Sequence, residues 1–111
     1  MRRVGAKARL YLDGKDVGAV TTSRWENSWG FGQFQPADGF VEYAPYYGQW
    51  SLLMHADEGG QPLSREAAGE LRAIEAKLDS IRARLHYPDE NQWVDLTQVN
   101  IDGGLVEWKE L

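Results

Sequence analysis

At 111 residues the chain is the length of one domain, able to bury about two-thirds of its unfolded surface and so to hold a core without covalent staples. It has no cysteine, which excludes disulfides, thiol nucleophiles and cysteine-based zinc sites and fits a reducing, cytoplasmic setting. The net charge of −5 argues against nucleic acid as a partner: Arg2, Arg3, Lys7, Arg9, Lys15 and Arg24 lie at one end, and residues 25–63 carry no Lys or Arg.

The start, MRRVGAKARLYLDG, is basic but lacks the apolar run and cleavage site of a signal peptide. No segment approaches the roughly 20 apolar residues of a membrane span. The chain therefore reads as a single soluble domain, 1–111, with no membrane partner.

In chain order, Ala8, Leu10 and Leu12 alternate with Lys7, Arg9 and Tyr11, the mark of a half-buried strand. Asp13-Gly14 suits a tight hairpin turn, and Val17 to Thr22 supplies the returning strand. Gly18 inside that strand suggests a bulge or a close contact. A third strand runs from Trp29 to Gln35 and stops at Pro36, with Trp29, Phe31 and Gln33 on one face and Gly30, Gly32 and Phe34 on the other. The two glycines leave room for a ring from a neighbouring strand.

Aromatic residues crowd residues 25–50: Trp25, Trp29, Phe31, Phe34, Phe40, Tyr43, Tyr46, Tyr47 and Trp50. Phe40, Tyr43, Tyr47, Trp50 and Met54 recur at helical spacing, so a turn near Phe40 and a short helix from Pro45 to about Ala56, ended by Gly59-Gly60, are expected. Alternation of Trp50, Leu52 and Met54 would also suit a strand. The strongest helical signal is Ser64 to Leu85, where Ala67, Leu71, Ile74, Leu78, Ile81 and Leu85 form one apolar stripe. Ser64 is the expected N-cap, Glu66 and Glu70 suit the positive dipole end, and Arg82 and Arg84 the negative end.

After this helix, residues 86–91 read as a turn. Trp93 to Ile101 follows as a strand with an irregularity, then an Asp102-Gly103-Gly104 hairpin, then a closing strand over 105–109 with Trp108 reaching the core. The expected fold is α+β, a largely antiparallel sheet of about five to six strands packed against one long amphipathic helix and one shorter helix. With Leu10 to Gly14, Gly32 to Pro36 in a Gly-x-Phe-x-Pro pattern, and Ile101-Asp102-Gly103 with Trp108, the chain resembles small uncharacterised bacterial α+β proteins. The resemblance rests on turn and core residues and implies a fold without a chemistry.

No nucleophile elbow, P-loop, dinucleotide fingerprint or His-Glu-x-x-His occurs. His55 and His86 each follow a helical stretch and read as polar residues near a negative dipole end; the run His55-Ala56-Asp57-Glu58 is too compact to converge on one ion, so neither metal nor cofactor is expected. The function expected is a non-enzymatic protein-binding module, with an immunity- or inhibitor-type role suited to a small acidic chain and a basic protein as partner. Trp25, Glu26, Trp29, Tyr46, Tyr47 and Trp50 are the candidate binding residues, since Tyr and Trp supply rigid contact area at interface hot spots. The rivals are a small carboxylate-based hydrolase using Glu42 or Asp57, or a carbohydrate-binding domain, with Glu26, Asp38, Glu42 and Asp57 among the rings; and a homo-oligomeric structural subunit using the same aromatics on itself.

Overall fold

Among the described residues six strands, each flanked on both sides by another, close into an antiparallel barrel in the order β1-β2-β3-β6-β5-β4. The structure, a computed structural model, describes residues 4–58 and 62–111. The strands are β1 (Lys7–Leu12), β2 (Lys15–Glu26), β3 (Trp29–Pro36), β4 (Ala83–Tyr87), β5 (Gln92–Asp102) and β6 (Leu105–Glu110). A 3-10 turn at Asp38–Phe40, then α1 (Ala44–Glu58) and α2 (Arg65–Asp79), connect β3 to β4. The fold is thus mixed α+β, as expected. The sheet is not an open layer on a long helix, however, and both helices have 15 residues.

The difference lies in residues 81–87. Ile81 and Leu85 are four apart, a spacing that fits a helical stripe and equally a strand of period two. Ile81, Ala83, Leu85 and Tyr87 are all buried on alternating positions; Ile81 precedes the strand, and Ala83–Tyr87 form the strand that pairs with both β1 and β5. Helix α2 ends instead at Asp79, where Ser80 turns its hydroxyl onto the Lys77 carbonyl. Asp13 then takes over the chain, donating its backbone N–H to the Arg82 carbonyl and accepting the Arg82 N–H on its carboxylate. Arg82 and Arg84 therefore do not close a helix dipole, and His86 sits on β4 and not in a turn. The start of α2 is as expected: the Ser64 hydroxyl accepts the Ala67 N–H at 3.0 Å.

The barrel interior is filled by Leu10, Leu12, Val17, Val20, Leu85 and Trp108, each under 2% exposed. Two bulges decide which side chains enter it. At Leu10/Tyr11 the register skips Val17, so that Val17 and Gly18 both turn inward; a Cβ on Gly18 would lie 2.4 Å from the Gln35 carbonyl oxygen. Opposite Gly32 and Phe31 the register skips Ser23, which restores Trp25 to the inner side, its ring edge-on to Trp108 at 5.7 Å. Gly30 and Gly32 also face inward, and the Trp108 indole occupies the space over both. The expected irregularity in β5 falls between Leu96 and Gln98.

One end of the barrel, beside the Asp13-Gly14 turn, is covered by the segment leading into α1. Phe40 meets Phe34 edge-on at 5.0 Å, and Tyr43 and Tyr47 join the core, the Tyr43 hydroxyl donating to the Leu12 carbonyl at 3.3 Å. Pro45 falls in the first turn of α1, where its missing N–H costs nothing. The Gly59-Gly60 stop lies outside the described residues. Helix α1 packs on β5 and α2 packs on α1, with Lys77 over the Tyr46 ring at 5.2 Å.

Candidate functional site

The period-two alternation that turns Gly30, Gly32 and Phe34 inward turns Trp29 and Phe31 outward. Register places Phe31 between Arg24 of β2 and Glu107 of β6, and Glu107 opposite Asn100 of β5, so one row of side chains crosses four strands on the outer surface. The Arg24 guanidinium lies 4.1 Å from the centre of the Phe31 ring and pairs with Glu26 on its other side. The Asn100 amide donates to Glu107 at 2.8 Å. Above this row runs α1, contributing Trp50, Ser51, Met54 and His55, and the space between helix and sheet is a groove of about 600 Å³.

A polar clasp forms part of the groove wall. His55 Nε2–H donates to the Asp102 carboxylate at 3.1 Å, tying the last turn of α1 to the β5–β6 hairpin. The His55 hydrogen bond, followed by one from the Ser51 hydroxyl, holds the Asp102 carboxyl below its ordinary value of 3.8. A depressed folded-state pKa means that the clasp contributes stability at pH above that ordinary value and loses it as pH falls through the depressed one. His55→Ala is expected to move the Asp102 carboxyl titration, followed by carbon NMR, back up toward an unperturbed aspartate; an unchanged midpoint would contradict the clasp. Both side chains are more than half exposed, so solvent screens the pair and the stability change is small.

The six sequence-derived candidates separate in space. Trp29 and Trp50 line the groove together. Glu26 is exposed at its margin through its pairing with Arg24. Trp25 turns toward Trp108, Tyr46 lies beneath Lys77 between the helices, and Tyr47 is 3% exposed in the core. Burial pushes the Tyr47 phenol far above its ordinary range. Phe31, Arg24, Met54 and Glu107 were not among the six candidates; the outward phase of Trp29 carries Phe31 with it, while the others emerge only from cross-strand register and helix docking.

Of the rival carboxylates, Glu42 is exposed before α1 and ion-paired with Lys15, and the side chain of Asp57 lies outside the description. Asp38 begins the 3-10 turn, exposed. Among the described residues no three His, Asp or Glu side chains gather closely enough to hold a metal ion, and no helix is long and apolar enough to cross a membrane. No known family, curated protein or solved structure matches the chain.

Proposed function

We propose that the protein is a cytoplasmic, non-catalytic binding module that takes a segment of a basic protein partner into the groove between α1 and the outer surface of β2, β3, β6 and β5. The observation that carries the reading is the groove itself: Trp29 and Phe31 from the sheet and Trp50 and Met54 from the helix face one open space of about 600 Å³. Grooves of this size with apolar walls and few polar groups are the usual form of a recognition site. The net charge of −5 favours a basic partner by steering its approach. An immunity- or inhibitor-type role is the finer reading within this class, and it rests on size and acidity alone.

A tagged chain is expected to retain a basic protein in fixed stoichiometry, read as the molar mass of the eluted complex by light scattering. Trp29→Ala with Trp50→Ala is expected to weaken that complex at least about tenfold, and Trp93→Ala, on the far side of the barrel, to leave it intact. A complex that survives the double substitution in a folded protein would remove the groove as its site. A chain that doubles its own mass without a partner would replace the reading with self-association.

A further inference from the structure

The charges along the α1 groove do not balance, and the imbalance falls on one residue. Two basic side chains line the groove, and each has its own carboxylate: Arg24 pairs with Glu26, and His55 with Asp102. Glu107, the remaining acidic side chain in the lining, meets only a neutral partner, the Asn100 amide, which donates to its Oε1 at 2.8 Å. Its Oε2 has no hydrogen-bond or ion-pair partner among the described residues. Lys109, two positions further along the same face of β6, neither pairs with Glu107 nor lines the groove. Glu107 and Asn100 are both half-buried, and the amide holds the carboxylate in one orientation. A cation arriving there forms a charge-assisted hydrogen bond that solvent screens less than on an open surface.

The surroundings of this carboxylate are apolar. Phe31 stands opposite it on β3, Leu105 precedes it by two positions on the same face of β6, and Trp29, Trp50 and Met54 line the same space of about 600 Å³. A ligand group that matches both features carries a cation at the end of an apolar stem. Lysine has this form, with four methylenes to lie along the apolar wall and a compact ammonium to take one carboxylate oxygen. The arginine fork engages two carboxylate oxygens, and one of these is already held by Asn100. Aromatic rings in the lining add attraction for a cation, as the Arg24 guanidinium 4.1 Å from the Phe31 ring centre shows within the chain.

We infer that Glu107 determines the specificity of the groove, and that the partner segment bound there presents a lysine whose ammonium meets the Glu107 carboxylate. This rests on the groove being the binding site and names what that site selects. The test is selection from a phage-displayed library of random dodecapeptides on the immobilised protein, followed by titration calorimetry with one enriched synthetic peptide. Peptides that shift the Trp29 and Trp50 indole N–H signals in nitrogen-labelled NMR are expected to share a lysine at one position. Replacing that lysine by norleucine, which keeps the stem, is expected to weaken binding about tenfold or more. Glu107→Gln keeps an acceptor for Asn100 and is expected to produce the same loss, with little further loss when both changes are combined. Selection on Glu107→Lys is expected to return an acidic residue where the wild type returns lysine. Groove-bound peptides that share no lysine, that carry arginine in its place, or that bind Glu107→Gln as tightly as the wild type would overturn the role of Glu107 and leave the groove standing. Absence of any peptide that shifts the Trp29 and Trp50 signals would overturn both.

Discussion

Trp108→Ala is expected to lower the unfolding free energy by about 3–5 kcal/mol, measured by urea denaturation. The indole is 0% exposed, lies between Val99 and Gly30 in the ladder, and carries the edge of Trp25. No nearby side chain can refill the space, because the strand facing it offers Gly30 and Gly32. Gly30→Ala approaches the same contact from the other side, since its Cβ would stand 2.4 Å from the ring; overpacking of this kind costs about 1–3 kcal/mol. The two changes should not add. With alanine at 108 the clash disappears, so Gly30→Ala is expected to become nearly neutral in the double variant, and strict additivity would contradict the packing described. Trp108→Phe keeps a ring and removes an indole N–H that has no acceptor among the described residues, so it is expected to cost less than alanine.

Tyr47→Ala is the second large effect expected, about 3–5 kcal/mol by analogy with other buried aromatics. Tyr47 joins α1 to the barrel core and packs with Phe40, which in turn meets Phe34. Its removal leaves Tyr43 as the neighbouring anchor on the entry to the helix, so amide exchange should accelerate through α1 more than through β1 and β4. Uniform acceleration throughout the chain would contradict a local role. Tyr47→Phe isolates the hydroxyl. Because burial raises the folded-state phenol pKa, the wild type should hold its full stability below the ordinary value of 10.0 and lose it as pH rises beyond, while the Phe variant lacks that alkaline loss.

Much of the local structure was legible because local chemistry determined it. Asp13-Gly14 and Asp102-Gly103-Gly104 marked the β1–β2 and β5–β6 hairpins, the Trp-Gly-Phe-Gly alternation marked β3, and Ser64 marked the start of α2. Strand β4 was hidden because Ile81 and Leu85 satisfy two periods at once, and only pairing with β1, about 70 positions earlier, decides between them. Barrel closure depends on that same long-range pairing and leaves no trace in any short window. The site was half legible for a related reason. Trp29 and Trp50 were identifiable as rigid aromatics, but Trp25 is turned inward by one extra residue at Ser23, and Tyr47 by the docking of α1. Arg24, Phe31, Glu107 and Asn100 become neighbours only through register across four strands.

Pairing of β1 with β4 also determines how this molecule can meet others. Among the described residues every strand has another on each side, so the barrel presents no whole strand edge as a template to an extended peptide; one-sided stretches remain only at Ser23–Glu26 of β2, at Gln98–Asp102 of β5 and at strand ends. Capture by main-chain augmentation, which reads little beyond the ability to extend, is therefore limited to these short stretches, and so is edge-to-edge stacking of its own copies. Recognition falls mainly to side chains on the outer wall and the helix, where a single substitution can change the choice of ligand while the ladder beneath stays the same.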